Sequence, residues 1–125
     1  MKTKTQLIFE SRVPWDNPYQ GKDKRVVFVC SAGILRSATA ARIYAQKYNT
    51  RSAGSEGYAL IPLSDELVLW AQEIVFVNKQ NYLSVKDKYS FDDTKVVVLD
   101  IPDVYNHMHP KLIAAFEEQY EKVFP

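Results

Sequence analysis

Three short, unbroken runs of apolar and largely β-branched residues constrain this chain more than any other feature: Val26–Cys30, Ile74–Val77 and Val96–Leu99. A run without polar alternation suits a strand covered on both faces, as in a parallel sheet flanked by helices. Thr50–Ala53 is a weaker strand candidate. Helical patterns fall between the runs. After Ser37, residues Ala40, Ile43, Tyr44 and Tyr48 share a face at helical spacing, and the alanines let that helix lie close to a sheet. Ser64 is placed to cap a second helix, with Asp65 and Glu66 in its first turn and Leu63 and Val68 at staple positions. Trp70, on that helix, reads as core. Lys79–Lys88 reads as a helix without a clean stripe. Pro110 opens the last helix, whose buried face is expected at Ile113, Phe116, Tyr120 and Val123. The alternation predicts an α/β domain in three layers: a four-stranded parallel sheet with helices on both faces and right-handed crossovers.

One such domain fits 125 residues, and it is expected over residues 25–125. Residues 1–24 read as an N-terminal extension. Pro14, Trp15, Asp16, Asn17, Pro18, Tyr19 and Gly21 suit irregular chain, either packed on the domain or a partner or loosely held. The net charge of +1 gives no bulk attraction for nucleic acid or a membrane surface. No apolar run is long enough to span a bilayer, and Leu7, Ile8 and Phe9 are too few for a secretory signal core. A single cysteine, Cys30, excludes an internal disulfide and a Cys-rich zinc site, so a cytoplasmic protein is expected.

Cys30 closes the first apolar run. In an open parallel sheet, ligands bind beyond the carboxyl ends of the strands, so the cysteine stands where such a fold does its chemistry. Ser31, Ala32, Gly33, Ile34 and Leu35 follow, then Arg36, Ser37 and a helix. Small residues let the backbone curl, and Gly33 accepts positive φ. Such a loop can turn successive N–H groups inward as an anion-binding nest, to which the helix N-terminus adds its dipole. The same surroundings favour a thiolate at Cys30. Arg36 can grip two phosphate oxygens at once, and Ser37 can donate its hydroxyl to the sulfur. A buried structural cysteine beside an unrelated arginine is the bland alternative. The order of strand, loop, arginine, serine and helix argues against it.

The stretch Val27-Phe28-Val29-Cys30 through Arg36-Ser37 resembles the signature of low-molecular-weight protein tyrosine phosphatases. Arg51-Ser52-Ala53-Gly54 resembles the segment after that family's first crossover, and Ile101-Pro102-Asp103-Val104-Tyr105 its acid-bearing loop. Leu99-Asp100-Ile101-Pro102-Asp103 with His109-Pro110-Lys111-Leu112-Ile113 is similar to a short bacterial and phage branch of predicted tyrosine phosphatases. The resemblance covers about residues 25–123. Gly33 stands where the family usually has Asn, Leu35 where most members carry a second Cys, and Val104 where Pro is usual. The resemblance implies a phosphate-binding loop after the first strand and a phosphocysteine mechanism without metal or cofactor. Cys30 would be the nucleophile and Asp103 the general acid. Arg36 and the amides of Ser31, Ala32, Gly33, Ile34 and Leu35 would hold the phosphoryl group. Tyr105 would line the pocket. The implied substrate is a phosphorylated protein, phosphotyrosine above all, or a phosphorylated small molecule, with inorganic phosphate as product.

Asp100 competes with Asp103 for the acid role, since it precedes the same loop. Ser52 is a candidate to hydrogen-bond the phosphate loop. Trp15, Trp70 and Tyr58 are aromatic candidates for a pocket border, against the commoner core role. His107 and His109 are too few to make a metal site, and His109 suits a helix cap. Three rival activities remain. Arsenate reduction would need an external thiol, because the chain has no further cysteine. A phosphocysteine carrier would not need Arg36 or an acid loop. A phosphate or phosphopeptide binder would need the loop but not turnover.

Overall fold

The structure, a computed structural model, describes residues 20–123, with side chains described as far as residue 121. Four strands form one sheet: β1 (Arg25–Cys30), β2 (Asn49–Gly54), β3 (Glu73–Phe76) and β4 (Val96–Val98). All pairings are parallel and the spatial order is β2-β1-β3-β4. β1 is therefore hydrogen-bonded on both sides, with Phe28 beside Ser52 and Val75. The crossovers are α1 (Arg36–Ile43), α2 (Asp65–Trp70) and α3 (Lys79–Val85), and α4 (Pro110–Val123) ends the chain.

Alternation along β1 divides its side chains between two cores. Val26, Phe28 and Cys30 face α1 and α4, where they meet Ala40, Tyr44, Leu112, Phe116 and Tyr120. Val27 and Val29 face α2 and α3, where they meet Leu67, Val68 and Val85. This is the expected three-layer α/β arrangement, and β1 lies at its centre. Phe28 anchors the first core through ring contacts with Tyr44, Phe116 and Tyr120 at 5.9, 6.3 and 5.5 Å. In the second core, Ser64 caps α2 by accepting from the Leu67 N–H at 3.2 Å, while Leu63 and Val68 are both buried beside the cap. Among the described residues, no helix is long and apolar enough to cross a membrane.

Several expectations are corrected in detail. The run Val96–Leu99 is not covered on both faces: β4 is an edge strand, Val96 and Val97 are half-buried and Val98 is exposed. The buried face of α4 is Leu112, Phe116 and Tyr120, spaced by four, with Ile113 turned half away. Val123 lies outside the described side chains. Trp70 packs against the second core as expected, but only half-buried, at the end of α2, where the Arg25 guanidinium sits 5.9 Å from its ring. Of the expected extension, residues 1–19 lie outside the described residues. Residues 20–24 lie against the connection from α1 to β2: the Gly21 N–H donates to Ala45 at 2.7 Å, and Gln20 Oε1 accepts from Thr50 at 2.9 Å.

At the end of the sheet away from Cys30, the buried Glu73 accepts a short hydrogen bond from Tyr120 and pairs with Lys24 at 3.0 Å. Burial first, and then that bond to Glu73, pushes the Tyr120 hydroxyl well above the ordinary tyrosine value. Folding therefore favours the neutral phenol. The associated stability is fully present below the unfolded value of about pH 10 and is lost as pH rises beyond it. Tyr120→Phe is expected to cost about 1.5–3 kcal/mol at neutral pH, the worth of a hydrogen bond to a charged group. Its stability should then fall less steeply than that of the parent in alkali. Urea unfolding of both proteins from about pH 7 to about pH 11 measures the two slopes.

Candidate active site

β1 delivers Cys30 to the carboxyl edge of the sheet, and the chain then turns through residues 31–35 into α1. Cys30 is 3% exposed. Two polar groups converge on its sulfur: the Gly33 N–H donates at 3.2 Å, and the Ser37 hydroxyl shares a hydrogen bond with it, with Oγ and Sγ 3.0 Å apart. A hydroxyl and an amide N–H so placed are both able to donate to an anionic sulfur. The Gly33 contact requires the loop to double back within three residues, and Gly33 takes φ +83° to do so. It is also packed against β2. A β-carbon there would stand 2.9 Å from the Ala53 carbonyl carbon.

β2 supports the loop from below. Ser52 Oγ donates to the Gly33 carbonyl at 3.2 Å, as expected for this serine. The N–H groups of Ser55 and Glu56 donate to the carbonyls of Cys30 and Ser31 at 2.8 and 3.2 Å. Gly54 lets the two segments approach: a β-carbon there would lie 2.7 Å from the Ser31 carbonyl oxygen and 2.3 Å from the Ala59 β-carbon.

Arg36, the first residue of α1, is 4% exposed, yet it carries a permanent charge. Its Nη1 donates to the Ile101 carbonyl at 3.2 Å and its Nε lies 3.5 Å from Asp103 Oδ1. The first contact uses one of its five N–H donors; the second is an ion pair. The loop after β4 is held so that this pairing forms. The Ile101 N–H donates to Val77 at 2.9 Å, and Gln119 Oε1 accepts from the Asp100 N–H at 2.7 Å. The Met108 N–H donates to Thr39 Oγ1 at 2.9 Å, tying the far end of the loop to α1.

A cavity of about 120 Å³ opens over the sulfur, lined by Cys30, Ser31, Ala32, Leu35, Arg36, Tyr58 and Asp103. A space of that size suits a compact oxyanion. Of the two candidate acids, Asp103 lines it and Asp100 does not. Gly33 and Ile34 lie outside the lining, the first buried beneath the sulfur and the second exposed at the rim. Tyr105 is a correction. It stacks on His109 with ring centroids 4.9 Å apart and packs against the α1–α4 core, because α4 starts close behind the loop. The aromatic wall is instead Tyr58, 71% exposed, from the segment after β2. His109 is a helix cap: its Nδ1 and its carbonyl accept from the first N–H groups of α4. A larger cavity of about 350 Å³ lies at the opposite end of α1, lined by tyrosines, Lys47 and Glu121.

Beneath the loop lies a polar cluster that the sequence did not announce. Asn81 of α3, 2% exposed, donates to Ser31 Oγ at 3.1 Å and to Ser55 Oγ at 3.0 Å. Its helix lacks a clean apolar stripe, so no periodic signal singles this asparagine out.

Gly33→Ala is expected to be costly in two ways. The left-handed conformation disfavours a β-carbon by about 1–2 kcal/mol. The contact with Ala53 then forces the loop off β2. Stability should fall by at least that amount in urea unfolding. Modification of Cys30 by a bulky thiol reagent should accelerate as the loop loosens.

Compared with models of known protein families, with curated proteins and with solved structures, the chain matches none.

Proposed function

We propose that the chain is a cysteine-dependent phosphatase of the low-molecular-weight tyrosine phosphatase type, hydrolysing aryl phosphomonoesters through a phosphocysteine intermediate. One observation carries this reading. A sulfur held by the Gly33 amide and the Ser37 hydroxyl shares a small cavity with a buried guanidinium and a carboxylate. A nucleophile, an oxyanion partner and a proton donor on one cavity are the parts phosphoryl transfer needs.

The steps follow from the contacts. Cys30 Sγ attacks phosphorus in line and the bond to the aryl oxygen breaks. Arg36 and the N–H groups of Ser31, Ala32 and Leu35, the loop residues that line the cavity, hold the non-bridging oxygens, where charge must be stabilised. An arriving phosphoryl group competes with Asp103 for the guanidinium. That competition releases the carboxylate, which takes up a proton from solvent or from the monoanionic ester and passes it to the leaving oxygen. Water then attacks the phosphorus, gives a proton back to Asp103 and breaks the P–S bond. Inorganic phosphate leaves and the thiolate is restored. Tyr58 and Leu35 supply apolar walls for an aryl group, in line with phosphotyrosine or a small aryl phosphate as substrate. Reduction of arsenate on the same loop would need an external thiol, since Cys30 is the single cysteine.

The chain is expected to hydrolyse p-nitrophenyl phosphate without added metal. Cys30→Ser should abolish turnover while phosphate binding, read by calorimetry, persists. Asp103→Ala should slow turnover by roughly 10²- to 10⁴-fold, the usual worth of a positioned acid. Full activity in the Cys30→Ser protein would remove the mechanism. Binding of phosphotyrosyl peptides without turnover in the parent would make the chain a phosphopeptide-binding module.

A further inference from the structure

We propose that Asn81 is a positioning residue that frees the Ser31 hydroxyl to donate to the bound phosphoryl group, an inference that rests on the phosphatase reading above. The argument is one of proton accounting. A side-chain amide has two N–H donors and one carbonyl oxygen. Here both donors are engaged, one on Ser31 Oγ and the other on Ser55 Oγ. Each serine oxygen is thus an acceptor, and each hydroxyl keeps its own proton to give. Ser55 lies 3.4 Å from Glu56 Oε1, a carboxylate oxygen that also accepts from Ser84 at 3.0 Å. Among the described residues, Ser31 has no such acceptor, and Ser31 lines the cavity above Cys30. Its proton is directed to whatever anion occupies that cavity.

The reverse amide orientation would put the carbonyl oxygen between the two hydroxyls, and Ser31 would then have no proton for the cavity. Burial decides between the two. Asn81 is 2% exposed, and its Oδ1 has no hydrogen-bond partner. Reversal would exchange that one unmatched acceptor for two unmatched N–H groups in the interior. It would also draw the Ser55 proton away from Glu56. Each unmatched buried donor costs about as much as a lost hydrogen bond, so reversal is the worse choice. The asparagine therefore acts at a distance from the chemistry: α3 sets the hydroxyl direction of the residue after the nucleophile.

The test is a double-mutant cycle with Ser31→Ala, Asn81→Ala and the double variant. It reads phosphate affinity by calorimetry and kcat/KM for p-nitrophenyl phosphate, with circular dichroism to verify folding. Ser31→Ala, which removes one oxygen from a half-buried side chain, should weaken phosphate binding roughly 10- to 100-fold, the scale of a charge-assisted hydrogen bond. Asn81→Ala should lose a similar factor, and the double variant should be no worse than either single one. Parental phosphate affinity in Ser31→Ala overturns the proposal, whether or not Asn81→Ala folds. Additive losses in the double variant overturn it too, since Asn81 would then act by a route other than Ser31. If the parent neither binds phosphate nor turns over, the phosphatase reading fails and this inference with it. If the parent does both and Ser31→Ala is unchanged, only this inference fails.

Discussion

Everything at the candidate site depends on the meeting of one sulfur with two polar groups: Cys30 Sγ with the Gly33 amide and the Ser37 hydroxyl. The sulfur cannot wander, because β1 is hydrogen-bonded on both sides and buried on both faces. Its two partners cannot wander either. Gly33 is pinned through its carbonyl to Ser52, and Ser37 is buried in the first turn of α1. A loop that would be mobile by itself is thus clamped between a central strand and a helix start. Such preorganisation lets donors act on a reacting centre without reorganising at the moment of reaction.

The guanidinium is the second fixed charge. A buried arginine is costly unless its donors are matched, and here the Ile101 carbonyl and Asp103 share that task. The two partners differ in kind. Ile101 is fully buried and part of the core, so it anchors the side chain. Asp103 is exposed on the same loop, so its side of the pairing is open to solvent. Buried anchor and exposed partner stand two residues apart, so one loop holds both contacts of the guanidinium.

The architecture was legible in the sequence because the physical signals were local. Unbroken apolar runs marked β1 and β3, Ser64 marked the start of α2, and Pro110 marked that of α4. Cys30 meets Ser37 and shares a cavity with Arg36, while Ser52 bonds the loop at the Gly33 carbonyl, since a strand, a tight loop and a helix leave few other arrangements. The misreadings came from tertiary context. The edge run Val96–Val98 and the central run Val26–Val29 are both apolar and largely β-branched, so exposure of Val98 depends on strand order. Tyr105 and Tyr58 are both aromatic residues in loops, and only the packing of α4 decides which one reaches the cavity. Asn81 carried no pattern at all, because its partners lie 26 and 50 residues away in the chain.

The most direct test is to ask whether phosphorus ever bonds to that sulfur. The protein is mixed with an aryl phosphate, quenched in acid within milliseconds, digested and analysed by mass spectrometry. The account predicts the added mass of one phosphoryl group on the peptide containing Cys30, with more of it when Asp103 is replaced by Asn and hydrolysis of the intermediate lags. Steady release of phosphate with no label on that peptide, or with the label on another residue, would contradict it.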